Sequence, residues 1–230
     1  MMRYTYCHPL FEERKCAHRF SYLLAQAFAA AGLSLERFDY IGTGEDTNDF
    51  ADVSLTSLRE DLGKHIAQEV VSLIGLRLGA SLAFDYAVHN PETVRRLVLV
   101  EPVIDGDAYV EYLSRKQHIK DMMTGGVSSH GETGYVNFEG YRTSMQLVQE
   151  LRAFDLLQLA GLGATWPPTQ MVCISNKSHN NVSLQTFVEL ARSQDMQISI
   201  QTVELPSFWE RIPLTDCAGM IETVVGFCHE

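Results

Sequence analysis

The sequence predicts an α/β fold, a mostly parallel sheet of about six strands flanked by helices and interrupted by one helical insertion. Three observations carry this. Six short runs rich in β-branched and aromatic residues alternate with stretches of helical apolar spacing, the signature of a parallel sheet with right-handed crossovers. One apolar run, residues 70–74, passes through Gly75-Leu76-Arg77-Leu78-Gly79 directly into a helical pattern, Ala80, Ala83, Phe84, Ala87 and Val88. One long stretch, residues 106–166, shows no strand pattern and reads as helical.

Taken in order, the strand runs are RYTYC (3–7), LERFDY (35–40), EVVSLIG (69–75), RLVLVE (96–101), QMVCIS (170–175) and ISIQTVEL (198–205). Between the first two, Ala17, Phe20, Leu24, Ala27, Phe28 and Ala31 form one apolar stripe that Gly32 ends. Ser57-x-x-Glu60 reads as a capping box opening the helix before the third run. Leu184, Phe187, Val188 and Ala191 make a further stripe, and Cys217, Met220, Ile221, Val224 and Val225 the last. The expected division is a core over residues 1–105, a cap insertion over 106–166 and the rest of the core over 167–230, all one compact domain. A long insertion after a sheet strand, on the side where ligands bind, reads as a cap.

Composition narrows the function. At 230 residues and 46% hydrophobic content the chain can bury one large core. A net charge of -11 argues against nucleic acid or an anionic membrane as partner, since both need a basic face. Part of that charge lies in residues 42–61, which hold six carboxylates against one arginine without the spacing of a calcium loop, so a solvated loop is expected. Five cysteines, Cys7, Cys16, Cys173, Cys217 and Cys228, show neither paired spacing nor a metal-ligand pattern, so no disulfide framework and no metal are expected, and a reducing cytoplasm is the expected compartment. No cofactor motif is present. No stretch approaches 18 consecutive apolar residues, so no membrane span is expected, nor a cleaved signal.

The strand, sharp turn and helix around Arg77 have the form of a nucleophile elbow, G-x-S-x-G, in which the glycines are needed because the turn is too crowded for a Cβ. Here the central residue is arginine. With the order of elements, this resembles the α/β-hydrolase fold beginning at its third strand. The motif series HPLFEERKC (8–16), RFDYIGTGEDTNDF (37–50), GLRLGA (75–80), LVLVEPVIDGDAYVEYLSR (97–115), MMTGG (122–126) and FEGYRTS (138–144) is similar to a narrower group, the hydrolase-like proteins associated with the exosortase system of exopolysaccharide-producing bacteria. That resemblance implies an elbow arginine as a group feature, and a hydrolase-like name without a standard triad.

In this fold the triad runs nucleophile, acid, histidine. The loop after QMVCIS places Ser178 near the acid's position, and Phe208 and Trp209 follow the last strand where the histidine is expected. The degenerate triad positions are therefore Arg77, Ser178 and Trp209. A shifted frame, G-x-S-x-A, would make Ser81 the nucleophile, one turn into the helix. His130 and His179 read as loop histidines. What remains is a candidate ligand site: Arg77, the first helical N–H groups at Leu78 and Gly79, His8 and Leu10 from the loop after the first strand, Glu101 ending the neighbouring strand, and Trp209. Glu101 is the expected carboxylate partner of Arg77, with Asp105 or Glu12 as alternatives. The reading is a degenerate hydrolase-fold protein binding a small anionic or acyl-bearing molecule. The alternatives are an esterase, thioesterase or acyltransferase with a nonstandard site, and a non-catalytic partner in an exopolysaccharide or protein-sorting pathway.

Overall fold

The computed structural model describes residues 3–66, 69–125, 133–161, 165–174, 182–210 and 215–229. The chain forms two compact units, one of Met1–Phe38, His65–Ile104 and Leu156–Glu230, the other of Asp39–Lys64 and Asp105–Asp155.

The first unit holds the sheet. Its strands are β1 (Arg3–Cys7), β2 (Ser34–Arg37), β3 (Val71–Leu76), β4 (Val94–Val100), β7 (Thr169–Ile174) and β8 (Ile198–Val203), in the order β2-β1-β3-β4-β7-β8. All five pairings are parallel, as the alternation of strands and helices requires. The helices between them are α1 (Phe11–Cys16), α2 (His18–Ala30), α4 (Leu78–His89), α7 (Leu156–Ala160), α8 (Val182–Ser193) and α9 (Ala218–His229).

Central strands buried on both faces are mostly apolar, and β3 and β7 are buried at every position, with Ser72, Thr169 and Gln170 as their polar residues. On one face Tyr4, Tyr6, Ile74, Leu76, Val98, Val100, Val172 and Ile174 meet Phe20, Leu24 and Phe28 of α2 and Met220, Ile221 and Val224 of α9. The stripes read from the sequence are thus the buried faces of these helices. The Tyr4 hydroxyl donates to the Cys228 carbonyl at 2.7 Å, which ties β1 to the end of α9. Against the other face lies α4, where Phe84 is edge-on to Trp166 and Phe187 at 4.9 and 5.1 Å.

The second unit contains α3 (Leu55–Ile66) for most of its length, α5 (Gly106–Thr124), the strands β5 (Tyr135–Phe138) and β6 (Tyr141–Ser144), and α6 (Met145–Arg152). The antiparallel β5–β6 hairpin corrects the expectation that residues 106–166 lack strands. Its two-residue turn is Glu139-Gly140, both with positive φ, 55° and 109°, the backbone a hairpin of this hand demands. Glutamate at the first turn position gives none of the usual Asn-Gly or Asp-Gly signal.

A second correction concerns the helix start: α3 begins at Leu55, and the reciprocal cap is Ser54 with Ser57, each hydroxyl accepting from the other's N–H at 3.0 and 2.9 Å. The acidic stretch is wound on its own carboxylates. Asp46 accepts from the Gly42 N–H at 2.8 Å, the larger part of what holds its carboxyl below the usual range, and from Asn48 at 2.9 Å. Asp61 accepts from Ile41 N–H at 2.9 Å.

Among the described residues no helix is long and apolar enough to cross a membrane, and no three His, Cys, Asp or Glu side chains gather as a metal site. All five cysteines are free thiols.

Candidate ligand site at the elbow

Both elbow glycines are required by close approach. A Cβ on Gly75 would lie 2.3 Å from the Ala80 Cα, and one on Gly79 would lie 2.3 Å from the carbonyl oxygens of Cys7 and His8. The start of α4 therefore presses onto the backbone leaving β1, and any side chain at either glycine would force them apart. Between them Arg77 takes φ 54°, ψ -126°, a conformation that costs a non-glycine residue about 1–3 kcal/mol. Of the four other non-glycine residues with positive φ among the described residues, two lie at the exits of neighbouring strands: Phe11 (φ 56°), which opens α1 after β1, and Glu101 (φ 45°), which ends β4. Because β1, β3 and β4 are neighbours, all three lie at one carboxyl edge of the sheet, where ligands of open parallel sheets bind.

The Arg77 guanidinium joins these three exits. Its Nε donates to Glu13 Oε1 at 3.1 Å, its Nη1 donates to the main-chain carbonyl of Glu101 at 3.1 Å, and its Cζ lies 5.3 Å from the ring centre of Trp209. Desolvation is strong: the side chains of Arg77 and Glu13 are 16% and 1% exposed, and Trp209 is fully buried against Phe208.

The acid found on Arg77 is thus Glu13, one residue from the alternative named above. Arg77 reaches Glu101 at the backbone oxygen, while the Glu101 carboxylate accepts from the Ile174 N–H at 2.6 Å and so ties β4 to β7. Glu12 faces Lys15 at 3.1 Å, and Asp105 caps α5 by accepting from Ala108 N–H at 3.0 Å. The short α1 explains the miss. In six residues, two consecutive glutamates give no periodicity from which to tell the inward one.

The other candidates fall as follows. Leu10, Leu78 and Gly79 are buried around the elbow, and His8 is buried with its ring edge-on to Tyr6 at 4.7 Å. Ser81 is fully buried, and its hydroxyl donates to the Val103 carbonyl at 2.7 Å. Ser178, His130 and His179 lie outside the described residues.

The site is electrostatically mixed. Among the described residues, the Arg77 guanidinium and the positive end of α4 stand against the carboxylates of Glu13 and Glu101. The field of Glu101 is felt next door: burial first, then that charge, pushes the Cys173 thiol up to about 12.

No known family's sequence pattern matches the chain, and no curated protein matches it in sequence. Solved structures do match. A structure of LipS and LipT, metagenome-derived lipolytic enzymes, superposes with a TM-score of 0.65 at 13% identity, covering 98% of this chain and 92% of that one. The N-formylmaleamic acid deformylase Nfo of Pseudomonas putida gives 0.63 at 16% identity over 97% and 91%. The α/β-hydrolase domain-containing protein 10 of mouse gives 0.60 at 15% identity over 98% and 89%. The chain therefore has the α/β-hydrolase fold, with Arg77 where that fold's elbow turns.

Proposed function

We propose that this chain binds a small acyl-bearing or anionic molecule at the elbow and does not hydrolyse esters through a triad. One observation carries the reading: the residue at the strained elbow position is an arginine clamped by Glu13 and the Glu101 carbonyl. Residues held in costly backbone conformations cluster at functional sites. Glu13 offsets the guanidinium charge, so within this reading a neutral acyl carbonyl, which presents a dipole, fits better than a full anion. The cytoplasmic location and the link to an exosortase-associated pathway belong to the same proposal, the first supported by five free thiols and the second by the motif series.

A second reading is acyl hydrolysis or transfer by a nonstandard constellation. It is favoured by the fold neighbours whose names are lipolytic enzyme and deformylase.

The test is thermal stability in the presence of butyramide or butyrate, since a ligand of the native state raises the melting temperature by mass action. Butyramide is expected to raise it at concentrations where butyrate does little, and Arg77→Met to abolish the rise relative to its own ligand-free baseline. No rise with either compound, or an equal rise in Arg77→Met, would remove the ligand reading.

A further inference from the structure

The two edges of the sheet differ in kind. At one edge β2 is four residues long, SLER, and Glu36 there is held in an ion pair with Arg3. Short, charged edges of this sort resist pairing with another chain. At the other edge β8 is six residues, ISIQTV, without a charge, a proline or a glycine, and four of the six are β-branched. Its four central residues are exposed on both faces, and Ile200 alone is 38% exposed.

The direction of its polar groups follows from the ladder. Thr169 N–H donates to the Gln197 carbonyl at 2.8 Å, so odd-numbered residues of β8 turn their main-chain groups towards β7. Ile198, Ile200 and Thr202 then turn theirs outward, and among the described residues no strand lies beyond them. Beside that edge runs a groove of about 250 Å³ between β8 and α8, lined by Leu184, Val188, Ile200 and Thr202 among others.

We infer that this edge pairs with β8 of a second copy of the same chain, antiparallel about a twofold axis normal to the sheet. The occupant is argued from complementarity. A row of outward N–H and C=O groups is satisfied by an extended strand of the same rise, and a twofold keeps paired residues on one face. With Ile200 opposite its own copy, Ile198 falls opposite Thr202 of the second copy, all three on the groove side. The acids flanking the strand in sequence, Asp195 and Glu204, then face Leu205 and Met196 of the copy, so no carboxylate opposes another along the strand, and the groove beside it carries one charge of each sign, Glu189 and Arg192. For a chain of net charge -11, an uncharged strip is a place where two copies can meet without repulsion.

Analytical ultracentrifugation and light scattering of the full chain test this. The native protein is expected as a dimer, and Ile200→Lys as a monomer of 25.8 kDa with an unchanged circular dichroism spectrum, because position 200 is exposed in the single chain. Glu36→Gln, on the opposite edge, should leave the dimer intact. A second readout needs no loss of assembly: Ile200→Cys in a Cys16→Ser background should cross-link to a dimer with a short bis-maleimide, while Glu36→Cys should not. A native monomer up to the solubility limit, a dimer that survives Ile200→Lys, or cross-linking at position 36 in place of 200 would each overturn the inference.

Discussion

Glu13 and Arg77 are 64 residues apart in sequence, yet Glu13 Oε1 accepts from Arg77 Nε at 3.1 Å inside the first unit. Breaking a buried pair of this kind from one side leaves an uncompensated charge and costs about 3 kcal/mol or more. The loss should be unequal. Arg77→Met takes the Nε–H from a carboxylate that is 1% exposed, whereas Glu13→Gln acts on a guanidinium that is 16% exposed and can still be hydrated. Chemical denaturation is expected to rank Arg77→Met below Glu13→Gln, with the double variant losing less than the sum of the singles. Additive losses would mean that the two charges do not interact.

The elbow glycines make a sharper contrast. Gly79→Ala puts a methyl group 2.3 Å from two carbonyl oxygens and should cost several kcal/mol or prevent folding, as overpacking against backbone does. Gly226→Ala, in α9 with nothing within 4 Å of the new carbon, should instead stabilise by about 0.5–1 kcal/mol. Melting curves of the two variants check both signs. A neutral Gly79→Ala would mean that α4 is not packed on the β1 exit.

Hydrolysis should not follow from restoring a hydroxyl. Arg77→Ser is expected to leave p-nitrophenyl acetate turnover at background, because serine without a base is a poor nucleophile and Trp209 offers no titratable group. Ser81→Ala should lose about 1 kcal/mol of stability, through its bond to Val103, and change no turnover. Burst kinetics in Arg77→Ser would reveal a base elsewhere.

Alkaline pH should weaken the fold. Burial pushes the Cys217 thiol up to about 11 and those of Cys173 and Cys228 up to about 12. A group whose folded pKa is raised gives stability that is fully present below its unfolded pKa and is lost as pH climbs through the folded one. The denaturation midpoint is therefore expected to hold up to an ordinary thiol's pKa, near 9, and to fall between there and about 12. Native protein should show one thiol reacting quickly with Ellman's reagent, the partly exposed Cys16, and the rest only on unfolding.

Much of this architecture was legible in the sequence because the physics behind it is local. Val71 to Leu76 is apolar except for Ser72, as burial on both faces favours, and Gly75 and Gly79 mark a turn that no larger residue could make. What stayed hidden depended on distant packing or on unusual turn chemistry. Choosing Glu13 over Glu12 needs the docked orientation of α1, and the β5–β6 turn rests on a glutamate in the left-handed region, which few hairpins use. The mutually bonded Ser54 and Ser57 pair likewise looks, in sequence, like a capping box three residues later.

An entirely parallel sheet also has consequences for the time the chain spends assembling. With no hairpin in it, Tyr4 must wait for Ser72 to be made and placed before the central pairing can close, so the non-local contacts come late. The β7–β8 pair is drawn from one continuous stretch near the end of the chain and is made last, with ISIQTV on its outer side. Until that pair docks on β4 it leaves a sticky, uncharged ribbon on show. Cool, slow expression should therefore improve the yield of soluble protein more than stabilising the finished core would.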